Sequence, residues 1–343
     1  MMRLPSYRYR APKTVADAAA WLAESPAETM LLAGGTDLIP NMKRRQQTPS
    51  TVIGLRSIPE LTAITRGQGL TIGSGVTLTG LVHDARVRAH YVGLWQAVAQ
   101  IATPHLRNMG TIGGNICLDT RCTYYDQTFE WRKAINFCMK KDGDTCWVAT
   151  SSDRCLAVSS TDSAPALIAL GATVTLVSAA GTREVALSDL YANDGMHYLT
   201  RRRDEILTSV RLPAGDGWRS TYWKLRRRGS FDFPVASVAA AARFDGDHIV
   251  DARIVLGAVA SRPLEVPAAS ARLVGQALSN DLITAVADDA YALAKPMDNT
   301  DFELVWRKKV VRSLVTSALQ ELRGDDMREA RTKLARHPLI VVA

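Results

Sequence analysis

The stretch Leu31-Leu32-Ala33-Gly34-Gly35-Thr36-Asp37-Leu38-Ile39-Pro40 runs a short apolar strand directly into a tight glycine pair. A second pair sits in an equally tight context at Thr111-Ile112-Gly113-Gly114-Asn115-Ile116-Cys117. Lacking Cβ atoms, such loops can aim consecutive backbone N–H groups into one concavity, a nest for phosphate oxygens. A plain turn accounts for either pair taken alone. Neither loop fits the G-x-G-x-x-G or G-x-x-x-x-G-K-[ST] patterns, which excludes Rossmann and P-loop readings. Two matched loops suit clasping a pyrophosphate from both sides, although spacing alone does not establish it.

Around these loops the chain divides into three parts. Residues 1–56 read as a small α/β unit: Thr14 N-caps an Ala-rich helix, and strands are expected over 28–33 and 51–55. Residues 57–215 form a second unit of short Gly-separated segments, with the best helix candidate over 86–102. Within it, 119–160 is polar, aromatic and aperiodic, and looks inserted. Apolar pattern resumes at 163–171 and continues into a strand at 173–177. Leu212 to Gly217 reads as a linker. Beyond it, strands are expected at 221–224, 238–244 and 249–260, and helices at 281–295 and 301–324, which makes a C-terminal α+β domain over 218–330.

The 343 residues suffice for two or three domains. A hydrophobic fraction of 47% and a charged fraction of 22% exclude disordered and fibrous classes. No apolar run approaches the roughly 18 residues that span a bilayer. The opening Met-Met-Arg-Leu-Pro-Ser-Tyr lacks an apolar signal region, so a cytoplasmic protein without membrane contact is expected. The net charge of +8 is densest at Arg201-Arg202-Arg203 and Arg226-Arg227-Arg228. No aromatic interleaving or RNP-type pattern accompanies these runs, so solvated faces are favoured and nucleic acid is not expected as a partner.

All five cysteines, Cys117, Cys122, Cys138, Cys146 and Cys155, fall within 39 consecutive positions. An odd number in a reducing compartment argues against a disulfide framework and for a metal site. The last four are spaced C-x15-C-x7-C-x8-C, with no C-x2-C of the usual zinc ribbon or bacterial ferredoxin. Four thiolates suffice for a [4Fe–4S] cluster. Structural zinc and scattered free thiols remain open from the cysteines alone.

Both glycine loops resemble the FAD-pyrophosphate loops of the flavoprotein subunits of the molybdenum hydroxylase (xanthine oxidase) family. The resemblance runs nearly the whole chain, through Gly73-Ser74-Gly75-Val76-Thr77, Thr161-Asp162-Ser163-Ala164-Pro165-Ala166-Leu167, Leu187-Ser188-Asp189-Leu190, Asp204-Glu205-Ile206-Leu207 and Gly257-Ala258-Val259-Ala260-Ser261-Arg262-Pro263. It implies an α+β fold: two FAD-binding subdomains of the p-cresol methylhydroxylase type, then a C-terminal domain with a three-stranded antiparallel sheet. It further implies that Leu31, Leu32, Ala33, Gly34, Gly35, Thr36 and Asp37, with Thr111, Ile112, Gly113, Gly114 and Asn115, surround the FAD pyrophosphate. Asp162 matches a family Asp on the ribose or adenine side, and Lys224 a family Lys near the isoalloxazine pyrimidine end. Without the resemblance, Asp162 reads as a helix N-cap and Lys224 as a strand-edge charge. Tyr198 sits near where some relatives place a ring on the flavin.

The chain departs from the family between Cys117 and Asp162, 45 positions apart where ordinary members make a short connection. Cys122, Cys138, Cys146 and Cys155 all fall inside this insertion, and Cys117 outside it. Within the family the insertion resembles that of the β subunit of 4-hydroxybenzoyl-CoA reductase, which carries an extra [4Fe–4S] cluster. The resemblance therefore implies an FAD and [4Fe–4S] electron-transfer subunit without catalytic residues of its own. It would act beside a molybdenum-cofactor large subunit and a [2Fe–2S] small subunit, in a dimer of heterotrimers, with ferredoxin as donor for removal of a phenolic hydroxyl. The alternatives are an FAD subunit of an oxidising molybdenum hydroxylase with a structural metal loop, and a basic iron–sulfur nucleic-acid-binding module.

Overall fold

A computed structural model describes residues 3–300 and 302–336. Three sheets organise the chain. The first is parallel and three-stranded, in the order Arg8–Arg10, Thr51–Gly54, Thr29–Leu32. The helix Val15–Glu24 covers it, and Thr14 Oγ1 accepts from Asp17 N at 3.0 Å as the expected N-cap. Ala18, Ala19 and Leu22 of that helix pack on Ile53.

The second sheet has five antiparallel strands, ordered Ile64–Arg66, Gly69–Gly73, Ile206–Pro213, Thr173–Ser178, Gly181–Ala186. Its central strands carry Leu70, Ile72, Val174, Leu176, Val210 and Leu212 into the largest core. The region read as one helix over 86–102 is two, Ala85–His90 and Val92–Ala99. They break at Tyr91, whose φ of −131° and ψ of 56° lie outside the helical region. The helix Ser163–Ala169 is buried over its whole length, which explains its unbroken apolar pattern.

The third sheet is antiparallel, ordered Leu264–Glu265, His248–Gly257, Ala236–Asp245, Trp218–Leu225. It has four strands rather than three. The extra one spans two residues, too short for any alternating pattern to mark it. The helices Asn280–Leu293 and Leu304–Arg323 cover one face with Val286, Ala290, Val311, Leu314 and Ala318. The expected start of the latter, Asp301, lies outside the described residues. A Cβ at Gly257 would stand 3.0 Å from Pro165 Cγ. Two of the motifs that carried the resemblance therefore meet at one close approach.

The insertion is mostly irregular, with one short helix, Phe129–Ala134. An antiparallel bridge joins its ends: Arg121 N donates to Val158 O at 2.8 Å and Val158 N to Arg121 O at 2.7 Å. The basic runs are engaged locally, Arg202 with Asp204 and Glu205, and Arg228 with Asp232. Among the described residues no helix is long and apolar enough to cross a membrane.

Candidate functional site

The two glycine loops meet. A Cβ on Gly34 would strike the Met109 carbonyl oxygen, and one on Gly114 would lie 4.0 Å from Ala33 Cβ. Gly35 has φ +73°, a left-handed conformation that side chains strain to adopt. Among the described residues the backbone N–H groups of Gly34, Gly35 and Thr36 find no acceptor, so this turn presents unspent donors as a nest does. Across from it, Thr111 Oγ1 accepts from Gly114 N at 3.1 Å and fixes the start of the short helix Ile112–Ile116.

Both loops border a cleft of about 1050 Å³, at the upper end of the sizes small-molecule sites reach. Leu31, Ala33, Thr111, Gly113 and Gly114 lie on its wall, as do Ser74, Gly75 and Thr77. Dinucleotide pyrophosphate needs close backbone approach and N–H donors. Gly113 and Gly114 bring backbone to the wall as that demands, whereas Gly34, Gly35 and Thr36, with their unspent amides, are not among the residues that line it.

Other expected residues are placed differently. Ile112 is core, and Leu32 packs into a small cluster with Leu38 and Met42. Asp37 turns to Arg121, Asn41 and the insertion. Asn115 is buried, and its Oδ1 accepts from Thr161 Oγ1 at 3.0 Å and from Ser163 N and Oγ at 3.1 and 2.6 Å. Asn115 therefore clamps the chain where the insertion returns and stays off the cleft wall. Asp162 and Lys224 also leave it. Lys224 Nζ donates to Asp162 Oδ2 at 3.0 Å and Tyr222 OH to Oδ1 at 2.6 Å, with the lysine side chain fully buried. Burial pushes the Asp162 carboxyl up and the Lys224 ammonium down, against their mutual attraction. Neither bland reading holds: Asp162 precedes a helix without capping it, and Lys224, on an edge strand, points inward.

Sequence reading missed the part of the wall supplied by the insertion: Asp119, Tyr125, Lys140 and Lys141. Their only signal was a polar, aromatic composition. Tyr198 lies on the wall as well and donates to Cys117 O at 3.3 Å.

Cys122, Cys138, Cys146 and Cys155 are all free and buried, whereas Cys117 is half-buried on the cleft wall. Cys122, Cys138 and Cys155 pack in one cluster, and the charge of Cys146 is felt at Cys155. Burial, with some contribution from neighbouring thiols, pushes Cys122 up to about 12 and Cys155 up to about 11. The quartet inside the insertion shares one neighbourhood, as its spacing suggested. It does not form a ligand cage: among the described residues no three His, Cys, Asp or Glu side chains converge as a metal-binding group. Neutral buried thiols pack as small hydrophobes, which is how these are arranged. Their donor chemistry suits zinc or iron–sulfur; their geometry here does not select either.

Residues 5–215 match the family model described as the FAD binding domain in molybdopterin dehydrogenase. The chain belongs to that family. Residues 220–322 match the CO dehydrogenase flavoprotein C-terminal domain. The FAD-binding subunit PaoB of an aldehyde oxidoreductase from Escherichia coli K12 is 32% identical over 92% of this chain and 99% of its own. The carbon monoxide dehydrogenase medium chain of Hydrogenophaga pseudoflava is 29% identical over 92% and 96%. The solved carbon monoxide dehydrogenase from that organism superposes with a TM-score of 0.77 at 28% identity, covering 93% of this chain and 98% of that one. The reconstituted enzyme from Oligotropha carboxidovorans gives 0.78 at 28%, covering 96% and 100%. The chain is thus a flavin subunit of the molybdenum hydroxylase family, with the mixed α+β architecture the resemblance implied.

Proposed function

We propose that this chain is the flavin subunit of an oxidising molybdenum hydroxylase. Electrons leave a substrate oxidised on a separate molybdenum subunit, cross a [2Fe–2S] small subunit, and reach the flavin in this cleft before passing to an acceptor. The observation that carries the reading is the pair of glycine loops packed together at the edge of one large cleft, within a chain of this family. Bound FAD supplies one- and two-electron chemistry. The protein's part is to hold the pyrophosphate on the backbone of the two glycine loops and to wall off the ring system with side chains from three segments.

Relatives named as subunits of a carbon monoxide dehydrogenase, a nicotine 6-hydroxylase and an aldehyde oxidoreductase favour this direction over the reductive one. In the reductive reading, ferredoxin would drive 4-hydroxybenzoyl-CoA dehydroxylation. The thiol quartet adds a second element. We propose that Cys122, Cys138, Cys146 and Cys155 hold a [4Fe–4S] centre. Four buried sulfurs within the insertion, three of them packed in one cluster, support it.

The test uses the assembled complex. Bleaching of the flavin absorbance when an aldehyde or an N-heteroaromatic compound is added anaerobically is the expected result. Flavin reduced only by ferredoxin, with loss of the ring hydroxyl from the acyl-CoA, would overturn the oxidising direction. Iron and acid-labile sulfide, each about four per complex protomer beyond what the [2Fe–2S] small subunit accounts for, would identify the centre; one zinc with no such excess would replace it.

A further inference from the structure

Lys140 belongs to the insertion, two residues beyond Cys138, yet its ammonium reaches into the wall of the flavin cleft. Its side chain is 6% exposed. All three N–H donors are spent: on Asp119 Oδ1 at 2.8 Å, Thr120 Oγ1 at 2.7 Å and Gly195 O at 2.6 Å. Three separate stretches of chain are therefore pinned to one cation: 119–125, 138–146 and the turn that ends in Tyr198. Two aromatic rings flank it. The ammonium lies 4.9 Å from the Tyr125 ring centroid and 5.4 Å from that of Tyr198, close enough for cation–π attraction. Tyr125 is further fixed through its hydroxyl, which donates at 3.0 Å to the other oxygen of Asp119. Gln46 Nε2 donates to Tyr125 O at 2.5 Å, which ties the same residue to the first subdomain.

We infer that Lys140 is a positioning residue for the flavin: it locks Tyr125 and Tyr198 as the aromatic part of the cleft wall, so the insertion sets how tightly the ring system is held. The inference rests on the proposal that FAD occupies this cleft. A flat heteroaromatic ligand gains most from rings already held in place, because ordering them on binding would cost affinity. Asp119 neutralises the lysine, so the effect comes from geometry rather than from net charge. The insertion then acts on the flavin through Tyr125 and Lys140 whatever its cysteines hold.

The experiment uses the full chain and reads FAD dissociation and bound-flavin fluorescence, which a nearby aromatic ring quenches. In Lys140→Met we expect FAD to bind about tenfold more weakly or worse, with brighter bound flavin and unchanged metal content; loss of a hydrogen bond to a charged group is of that size. Tyr125→Phe, which removes only the hydroxyl held by Asp119, should shift both readouts in the same direction by less. Lys140→Arg, which keeps the cation and donors, should recover part of the loss. FAD affinity and fluorescence of Lys140→Met within twofold of wild type would overturn the inference. So would a weakened Lys140→Met beside an unaltered Tyr125→Phe, which would make the lysine a simple charge. If Lys140→Met does not fold, Tyr125→Phe decides alone. Wild-type chain that fails to take up FAD would instead sink the flavin reading on which this rests.

Discussion

Arg121, at the neck of the insertion, ion-pairs with Asp37 in the first glycine turn, 84 residues earlier in the chain. The same guanidinium reaches Asn41 Oδ1 at 3.3 Å and Asp126 Oδ1 at 3.2 Å, and lies 4.8 Å from the Phe233 ring centroid. One side chain thus holds the insertion against the first glycine loop. The Arg121 side chain is 8% exposed, so little water stands ready to replace it.

Arg121→Met should therefore loosen both partners. Removing one member of a buried pair costs about 3–5 kcal/mol, and roughly half that is expected here because Asp37 keeps some solvent. Urea unfolding with and without FAD is the check. The expected result is a lower midpoint in both and weaker FAD uptake; an unchanged midpoint would show the pair to be incidental.

Gly35→Val and Gly114→Val should give folded but flavin-depleted protein. At Gly35 the φ of +73° strains any side chain, by about 1–2 kcal/mol. At Gly114 the added atoms stand between the facing loops. Flavin absorbance per chain, measured beside the circular dichroism of the fold, separates the two effects. Normal flavin occupancy in both variants would dismiss the clasp.

Glu205 predicts a pH dependence. Its carboxylate, 1% exposed, accepts from Arg183 Nε at 2.6 Å, Arg183 Nη2 at 2.9 Å and Arg202 N at 2.7 Å. The hydrogen-bonded Arg183 guanidinium lowers the Glu205 pKa from the usual carboxylate value. A carboxyl depressed in the folded state contributes stability above its unfolded value of 4.5, lost as pH falls through the folded one. Stability should decline from about pH 5 downward, and Glu205→Gln should flatten that slope while lowering stability at pH 7. Chemical denaturation at several pH values tests it.

Each of Cys122→Ser, Cys138→Ser, Cys146→Ser and Cys155→Ser should lose or degrade the bound metal while retaining FAD, and Cys117→Ser should keep it. Iron, zinc and sulfide per chain are the measurement. Loss of metal in Cys117→Ser with retention in one of the other four would move the ligand set toward the cleft.

Much of this was legible because it is local. The N-cap at Thr14, the glycine turns, the strands after residue 220 and the helix pair behind them follow from neighbours a few positions apart. Lys224 shows where such reading ends. From the sequence it is a charge on a strand, and only the fold delivers Asp162, 62 positions away, to meet it in the core. The resemblance puts Asn115 in a phosphate loop, yet its partners are Thr161 and Ser163, beyond the whole insertion. Lys140 and Tyr125 stood in a segment without periodicity, where nothing in the spacing reports which side chains turn towards the cleft.

The clamp of Asn115 on Ser163 and the two-bond bridge at Arg121 and Val158 bring the insertion's departure and return together before any of its interior is counted. To the host fold, some forty residues weigh little more than a hairpin, since chain joined at a closed neck adds closure entropy only logarithmically with its length. Such a segment can be acquired, enlarged or exchanged without disturbing the strands on either side. A chimera that joins residues 118 and 160 through a short Gly-Ser link should keep the surrounding architecture and report, by the flavin affinity it retains, how far the acquired cassette has become indispensable to its host.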